Sequence, residues 1–197
     1  MTHSTLNPTL ARRGLLLSLA AGLTAATLPA LAQTPAWPAK PVRIVVGFAP
    51  GGTTDVLART LAQAATEALG QTVLVENKPG ASGNIAAAEV AKATPDGYTF
   101  LVAPTSVETA NPSLFKSTLL PSRDLTAVMG IGRTQMYLIA RPGLEVKDAK
   151  QLVALAKSQP GKLSYASAGT GTPPHLAGEL FKKSNGVFIT HVPYRGA

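Results

Sequence analysis

The stretch VRIVVGFAPGGTTD, residues 42–55, joins a β-branched apolar run to a loop of glycine, proline and threonine. The run from Val42 to Val46 has the length and composition of a buried strand. After the loop, apolar residues recur at helical spacing as far as Leu69, and Gly70 is placed to end a helix. Asp55 falls in the first turn, where the helix dipole favours an acid, so we interpret it as a helix-start residue rather than a ligand. The stretch predicts strand, loop and helix in succession.

The same order occurs twice more downstream. A second strand at residues 73–75 is followed by a small-residue loop and an alanine-rich helix over residues 85–93. A third strand over residues 98–103 leads into a polar loop at Thr105 and Ser106. This alternation is typical of a parallel sheet covered by helices, in which ligands bind outside the carboxyl ends of the strands. The predicted fold class is therefore α/β.

The second half of the chain continues the pattern less regularly. Residues 124–132 and 136–140 predict two strands, and Asp148 with Gln151 predicts a helix start in the manner of a capping box. Further elements follow: a strand at residues 163–166, the loop SAGTGT at residues 167–172, a helix at residues 175–184 and a strand at residues 187–192. Proline at positions 173 and 174 suits a helix start.

Composition excludes several classes of function. The 197 residues carry 18 Lys and Arg against 10 Asp and Glu, a formal net charge of +8, and no cysteine. The cations are scattered rather than clustered with aromatics, which argues against a nucleic-acid binder. Without cysteine there is neither thiol catalysis nor a thiolate metal site, and the histidines lack neighbouring carboxylates at metal-ligand spacing. We expect no metal and no cofactor. The excess of cations is compatible with a modest positive field that favours a small anion, and also with a surface excess that has no function, which is the commoner case.

The first 32 residues predict an export signal. Arg12 and Arg13 precede an apolar run of residues 14–28, and Ala30-Leu31-Ala32 has the small-residue pattern that signal peptidase reads. The run is too short and too rich in alanine to suit a membrane span. We therefore expect a signal peptide at residues 1–32 and a periplasmic mature chain, with the Sec and twin-arginine routes both open.

The loops do not match the known nucleotide-binding and hydrolase motifs. The first loop lacks the lysine of a P-loop, the GTG run meets Pro174 where a dinucleotide fingerprint needs glycine, and Tyr165 stands where a nucleophile elbow needs glycine. An exported serine hydrolase that uses Ser167 and His175 remains the alternative. We otherwise interpret His175 as a first-turn residue bonded to the loop, and His191 as a strand residue packed near Tyr194.

Four segments together resemble one known family. They are PVRIVVGFAPGGTTDVLAR, GQTVLVENKPGASGNIAAAEVAKATPDGYTFL, LSYASAGTGTPPHLAGELF and HVPYRGA. In this order they are similar to the extracytoplasmic solute receptors of tripartite tricarboxylate transporters, the Bug family, over residues 38–197. The resemblance implies a two-lobed, type II periplasmic-binding-protein-like fold with parallel-rich sheets and helices on both faces. Residues 33–134 would belong to the first lobe and residues 135–197 to an incomplete second lobe.

The resemblance also implies a function. A small carboxylate, whether a di- or tricarboxylate or another organic acid, would bind in an interlobe cleft and pass to membrane permease subunits, with no chemistry performed by a monomeric receptor. Backbone N–H groups and hydroxyls of the loops would hold it. The positions carried over are Phe48, Ala49, Pro50, Gly51, Gly52, Thr53, Ala81, Ser82, Gly83, Thr105, Ser106, Ser167, Gly169, Thr170, Gly171, Thr172 and His175.

The chain stops inside the last of these motifs, at Gly196-Ala197. Family members continue, so we expect a piece of a longer receptor or a truncated gene, which alone folds poorly and binds weakly. A non-functional fragment is thus a further alternative. The sequence leaves the identity of the carboxylate open.

Overall fold

The structure is a computed structural model that describes residues 36–116 and 119–196. Trp37–Ala197 form one compact unit. The expected signal peptide lies outside the described residues. Within the described ranges, no helix combines the length and the apolar character needed to cross a bilayer.

A three-stranded parallel sheet forms the first half of this unit. Strand β1 (Val42–Val46) lies between β2 (Val73–Asn77) and β3 (Thr99–Val102). Val46 pairs with Asn77 on one side and with Val102 on the other, so the three strands end at one edge. The predicted apolar run takes the central position because its side chains are covered on both faces.

Helices cover both faces of this sheet, as predicted. Helix α1 (Thr53–Leu69) packs Ala58 and Ala62 against one face, together with Val42, Ile44 and Val46. Helix α2 (Asn84–Ala91) packs Ala86 and Val90 against Val45 on the other face. A strand directs alternate side chains to opposite faces, which is why neighbouring valines of β1 enter different core clusters.

The region after β3 departs from the prediction. Three one-turn helices follow, α3 (Ser106–Thr109), α4 (Asn111–Leu114) and α5 (Pro121–Asp124). The prediction of strands at residues 124–132 and 136–140 is wrong, because residues 125–148 form neither strand nor helix. Val128 and Ile139 there are 71% and 84% exposed. A strand needs a neighbour for its backbone hydrogen bonds, and among the described strands none pairs with this segment.

A two-stranded parallel sheet ends the described chain. Its elements are α6 (Ala149–Ser158), β4 (Ser164–Ser167), α7 (Pro173–Asn185) and β5 (Thr190–Pro193). The Asp148 carboxylate accepts a 2.8 Å hydrogen bond from Gln151 N, as the capping pattern predicts. In a capping box the Gln151 side chain would accept a hydrogen bond from Asp148 N. Here Gln151 Oε1 accepts from Lys147 N instead. Val187 and Ile189 precede β5 and pack with Ala156 in a third core cluster.

Candidate functional site

The loops that follow the strands meet one another. Ser82 Oγ, in the loop after β2, donates a hydrogen bond to Thr170 O in the loop after β4. A Cβ built on Gly196 would lie 3.1 Å from Ala49 Cβ in the loop after β1. The predicted site residues of both halves of the chain therefore come together at one place, although they are far apart in sequence.

Asp55 organises the first loop. Its carboxylate accepts hydrogen bonds from Gly51 N (2.9 Å), Arg59 Nε (3.0 Å) and Asn77 Nδ2 (2.8 Å). The residue is 3% exposed. The bond from Arg59, joined by those from Gly51 and Asn77, outweighs burial and lowers the pKa of Asp55 to about 2. Asp55 thus holds the loop as a charged acceptor at the helix start, the role that its position predicted.

Asn77 is a site residue that the sequence analysis missed. Its Nδ2 donates to Phe48 O at 3.0 Å as well as to Asp55, which ties the end of β2 to the loop after β1. Its position at the start of ENKPGASG was the available signal. Phe48 itself belongs to the main core cluster, and its ring lies 3.4 Å from where a Cβ on Gly83 would stand. The Phe48 side chain therefore packs in the core and against Gly83 of the loop after β2.

The first two loops touch through their backbones. A Cβ on Gly47 would lie 2.5 Å from Gly83 Cα and 3.2 Å from Gly83 O. Real Cβ atoms do not approach backbone this closely, so only glycine fits at residue 47. This contact sets the spacing between the loop after β1 and the loop after β2.

The second loop has an unusual backbone. Ala81 and Ser82 have φ values of 45° and 52°, in the left-handed region that costs a non-glycine residue about 1–2 kcal/mol. Asn111 opposes the strain: its Nδ2 donates to Ser82 O at 3.0 Å and to Asn84 Oδ1 at 2.9 Å. Asn111 is 1% exposed, and no sequence motif pointed to it. Strained residues held in this way are characteristic of binding loops.

The SAGTGT loop is held mainly by its own polar groups. Ser167 Oγ accepts from Gly169 N at 3.1 Å, and Thr172 Oγ1 donates to Gly169 O at 2.6 Å. Gly171 N donates to His175 Nδ1 at 3.0 Å, which agrees with the interpretation of His175 as a first-turn residue bonded to the loop. Ser167 and Thr172 are buried, whereas Thr170 is exposed.

Ser167 contacts His191, not His175, the histidine that the hydrolase alternative paired with it. Its Oγ lies 2.7 Å from His191 Nε2, across the β4–β5 pair. The His191 ring stacks on Tyr165, with 4.9 Å between ring centroids, and lies 4.2 Å from the ring of His175. The ring contacts of His191 are thus with Tyr165 and His175, whereas the prediction named Tyr194, which is 61% exposed. Strand pairing, which the sequence does not display, puts His191 beside Tyr165.

Charged groups close this cluster on its far side. Tyr165 Oη donates to Glu179 Oε1 at 2.7 Å, and Lys182 Nζ donates to both oxygens of the same carboxylate. Burial, followed by the bond to Glu179, raises the pKa of Tyr165. Lys182, followed by Tyr165, lowers the pKa of Glu179. Burial and the neighbouring His175 lower the pKa of His191 below its ordinary value.

This cluster predicts a pH dependence. Because the pKa of His191 is depressed in the folded chain, its neutral form stabilises the fold above the ordinary histidine pKa of about 6.5, and this stability is lost as pH falls through the folded pKa. We expect the free energy of unfolding to decrease between about pH 7 and about pH 5. Denaturant unfolding of the full chain and of His191→Gln across this range measures the difference. A variant curve as steep as the wild-type curve would contradict the assignment.

The two main helix starts differ as anion sites. The first-turn N–H groups of a helix have no acceptor within the helix, and α1 offers those of Thr53, Thr54 and Asp55. Helix α7 begins with Pro173 and Pro174, which have no N–H, so His175 supplies its first donor. The start of α1 therefore offers more first-turn N–H groups than the start of α7, and the Asp55 carboxylate lies at the same helix start.

A groove opens beside these loops, between α3 and α7. We call it the α3–α7 groove; its volume is about 330 Å³. Thr105 and Ser106, both predicted site residues, line it with Thr109, Met136, Pro173, Leu176, Ala177 and Leu180. Ser106 Oγ is buried and has no hydrogen-bond partner among the residues that the structure describes.

Metal ligands do not gather at this site or elsewhere in the described ranges. Within residues 36–116 and 119–196, no group of three His, Cys, Asp or Glu side chains is placed to hold a metal ion. The described loops and the groove offer a ligand backbone N–H groups and hydroxyls as donors.

Comparison with known proteins gives a consistent result. The family described as "Tripartite tricarboxylate transporter family receptor" matches residues 57–197. A curated relative, a UPF0065 protein of Bordetella pertussis, is 40% identical over 165 residues, which are 84% of this chain and 51% of the relative. The chain thus spans about half the length of the curated relatives it matches.

Solved structures match in the same way. MatC from Rhodopseudomonas palustris, with bound malate, has a TM-score of 0.76 at 34% identity over 81% of this chain and 55% of that one. Rpa4515 of R. palustris, solved with adipate, has a TM-score of 0.65 at 36% identity over 81% and 54%. These neighbours confirm the predicted α/β fold of the type II periplasmic binding proteins. With its converging loops and this match over most of its length, the chain belongs to the receptor family of tripartite tricarboxylate transporters, the Bug family.

Proposed function

We propose that this chain is the carboxylate-binding part of an exported solute receptor and performs no chemistry on its ligand. The observation that carries the proposal is that the loop after β2 contacts both the loop after β1, which leads into α1, and the loop after β4. Backbone N–H groups and hydroxyls are neutral donors for an anion, and they require no buried counter-charge when the site is empty. The malate- and adipate-bound relatives support a carboxylate as ligand.

The remaining parts of the proposal follow the family. Residues 1–32 would direct export to the periplasm, and residues 33–134 and 135–197 would belong to two lobes. The receptor would act as a monomer and deliver its ligand to the membrane permease of a tripartite transporter. We retain the predicted loop residues as ligand contacts, chiefly through their backbones, because Ser167 and Thr172 direct their hydroxyls to Gly169.

One observation favours the hydrolase alternative, the 2.7 Å contact between Ser167 Oγ and His191 Nε2. Other contacts weigh against it. Ser167 is 7% exposed, and Glu179, the carboxylate of this cluster, is bound by Tyr165 and Lys182. A nucleophile must reach its substrate and needs a base that a third group orients. We therefore assign Ser167 and His191 to holding the SAGTGT loop.

A ligand panel tests the proposal. Thermal unfolding of the full chain is followed with acetate, succinate, malate, adipate and citrate, each against sodium chloride of equal ionic strength. A carboxylate that binds only the folded chain is expected to stabilise it by about 2.7 kcal/mol at one hundred times its Kd. Cooperative unfolding that no carboxylate shifts would overturn the proposal, and absence of a cooperative transition would favour the non-functional fragment. Ester hydrolysis that disappears in Ser167→Ala would favour the hydrolase.

A further inference from the structure

We propose that the His175 side chain is a positioning residue for the binding site. In its neutral form it holds the SAGTGT loop in the conformation that receives a ligand, and a proton on the imidazole releases the loop. The inference rests on the proposed function and adds a control by pH to the same site. The family resemblance implied a ligand contact at this position, whereas the inference assigns the side chain to the loop.

The hydrogen bond from Gly171 N to His175 Nδ1 carries the inference. The two nitrogens are 3.0 Å apart. Gly171 is buried, and the His175 side chain is 13% exposed. Within the described ranges this N–H has no other acceptor. A buried donor that loses its partner is costly, so the conformation of the loop at Gly171 depends on this one imidazole nitrogen.

The bond requires one protonation state of the imidazole. A ring nitrogen that accepts a hydrogen bond carries no proton, so neutral His175 has its proton on Nε2. A protonated imidazole carries a hydrogen on both nitrogens and accepts at neither. The Nδ1–H would then face the N–H of Gly171, and two donors repel each other. Acid therefore removes the acceptor of a buried backbone N–H and drives the loop away from this conformation.

The second histidine of the cluster does not lose its bond in this way. A hydroxyl both donates and accepts, so the 2.7 Å contact between Ser167 Oγ and His191 Nε2 survives whether or not His191 is protonated. Gly171 N can only donate. The two imidazole rings are 4.2 Å apart, so a proton on one disfavours a proton on the other. The bond that acid breaks is therefore the one to His175.

Neighbouring charged groups do not replace the lost bond. The titratable groups around the His175 ring are Glu179 and Lys182 on α7, Tyr165 on β4 and His191 on β5. Near the Cα of Gly171 lie the uncharged side chains of Asn111, Leu114 and Phe115. Of the titratable groups, Glu179 alone attracts a protonated imidazole, and its Oε1 lies 3.9 Å from His175 Nε2. This attraction acts on the nitrogen that does not hold Gly171.

Gly171 lies where the SAGTGT loop meets its neighbours. The preceding residue, Thr170, accepts a hydrogen bond through its carbonyl oxygen from Ser82 Oγ of the loop after β2. The following residue, Thr172, stands at the start of α7 and donates to Gly169 O. A shift of Gly171 therefore disturbs both the contact between the two loops and the start of α7, where the proposed ligand contacts lie.

NMR of the full chain tests the inference without a ligand. Scalar coupling between the ¹⁵N nuclei of Gly171 N and His175 Nδ1 reports their hydrogen bond directly. The coupling should be present at pH 8 and lost at pH 5. The amide signal of Gly70, which donates to Thr66 O at the end of α1, should stay in place and show that the release is local. Absence of the coupling at pH 8, its persistence at pH 5, or simultaneous loss of the Gly70 signal would overturn the inference.

A matched pair of variants separates the acceptor from the bulk of the ring. Asparagine places a carbonyl oxygen as many bonds from the backbone as Nδ1, and this oxygen accepts at any pH. His175→Asn should therefore retain most of the malate affinity that His175→Leu loses, and the loss in His175→Leu is expected to be about tenfold. In the wild-type chain the apparent affinity should fall by up to about tenfold for each pH unit once His175 is mostly protonated, because the competent fraction shrinks.

The Kd of malate for the wild-type chain and for His175→Asn, measured from pH 8 to pH 5, decides the matter. Protonation of malate itself is common to both chains, so the ratio of the two Kd values isolates His175. We expect this ratio to rise as pH falls. A constant ratio, or equal losses in the asparagine and leucine variants, would overturn the inference and leave the proposed function standing. A wild-type chain that binds neither malate nor acetate, succinate, adipate or citrate at pH 8 would overturn both.

Discussion

Replacing Asp55 by alanine is expected to lower the free energy of unfolding by about 2–4 kcal/mol, because a buried acceptor shared by three donors is lost. The change leaves Gly51 N, Arg59 Nε and Asn77 Nδ2 without their common partner. It also releases the loop after β1, so binding of a carboxylate should weaken together with stability. Urea unfolding of the full chain measures the first effect, and ligand-induced stabilisation measures the second.

The same residue predicts the behaviour of the chain in acid. The pKa of Asp55 is about 2 in the folded chain, against an ordinary value of 3.8. A depressed pKa means that the unfolded chain takes up the proton more readily than the folded chain. Ionised Asp55 therefore contributes about 2 kcal/mol to the free energy of unfolding above about pH 4, and this contribution is lost as pH falls towards 2. Over this pH range, the free energy of unfolding of Asp55→Ala should decrease less than that of the wild-type chain.

A control separates this effect from the loss of any negative charge on α1. Glu67 lies on the same helix with an exposed side chain, and Glu67→Ala should change the free energy of unfolding by less than about 0.5 kcal/mol. Equal losses in the two variants would contradict the role assigned to Asp55.

Gly47→Ala is expected to lower the free energy of unfolding by a similar amount. The new Cβ would stand 2.5 Å from Gly83 Cα and 3.3 Å from Ala86 Cβ, and backbone cannot yield as a flexible side chain can. The first two loops would have to separate, at a cost of about 3 kcal/mol in the free energy of unfolding. Because the separation displaces the candidate anion site, ligand-induced stabilisation should disappear even at temperatures where the variant is folded.

Gly130→Ala is the matched control for this prediction. A Cβ on Gly130 meets no atom within 4 Å, and its φ lies outside the left-handed region. Denaturant unfolding of both variants compares the same added methyl group with and without a backbone contact. If Gly47→Ala unfolds at the same denaturant concentration as Gly130→Ala, the loops are not in the contact described.

Features that depend on residues close together in sequence were predicted correctly. Gly70 ends α1 with φ of 64°, Gly186 ends α7 with φ of 60°, and Asp148 caps α6. The three strands of the first sheet were predicted because short β-branched runs between turn residues are a local signal. The family was recognisable for a similar reason, since its motifs are continuous segments, and the comparisons confirm it.

Features that depend on residues far apart in sequence were not predicted. Residues 125–148 contain apolar runs that predict strands, but a strand also requires a neighbour that pairs with it. The contact of Ser167 with His191 spans 24 residues, and the bond from Ser82 to Thr170 spans 88. Asn77 and Asn111 became visible as site residues once their hydrogen bonds to the loops were known.

Local pattern thus predicted an α/β fold with glycine-rich loops at the ends of its strands, and the resemblance of continuous motifs to a known family predicted a receptor. Which loops touch, which hydroxyls remain free for a ligand and which apolar faces line the α3–α7 groove were decided by folding in three dimensions. The physical reason is that helix caps and strand runs depend on residues a few positions apart, whereas a binding site is made by close packing and hydrogen bonding between segments that sequence order does not bring together.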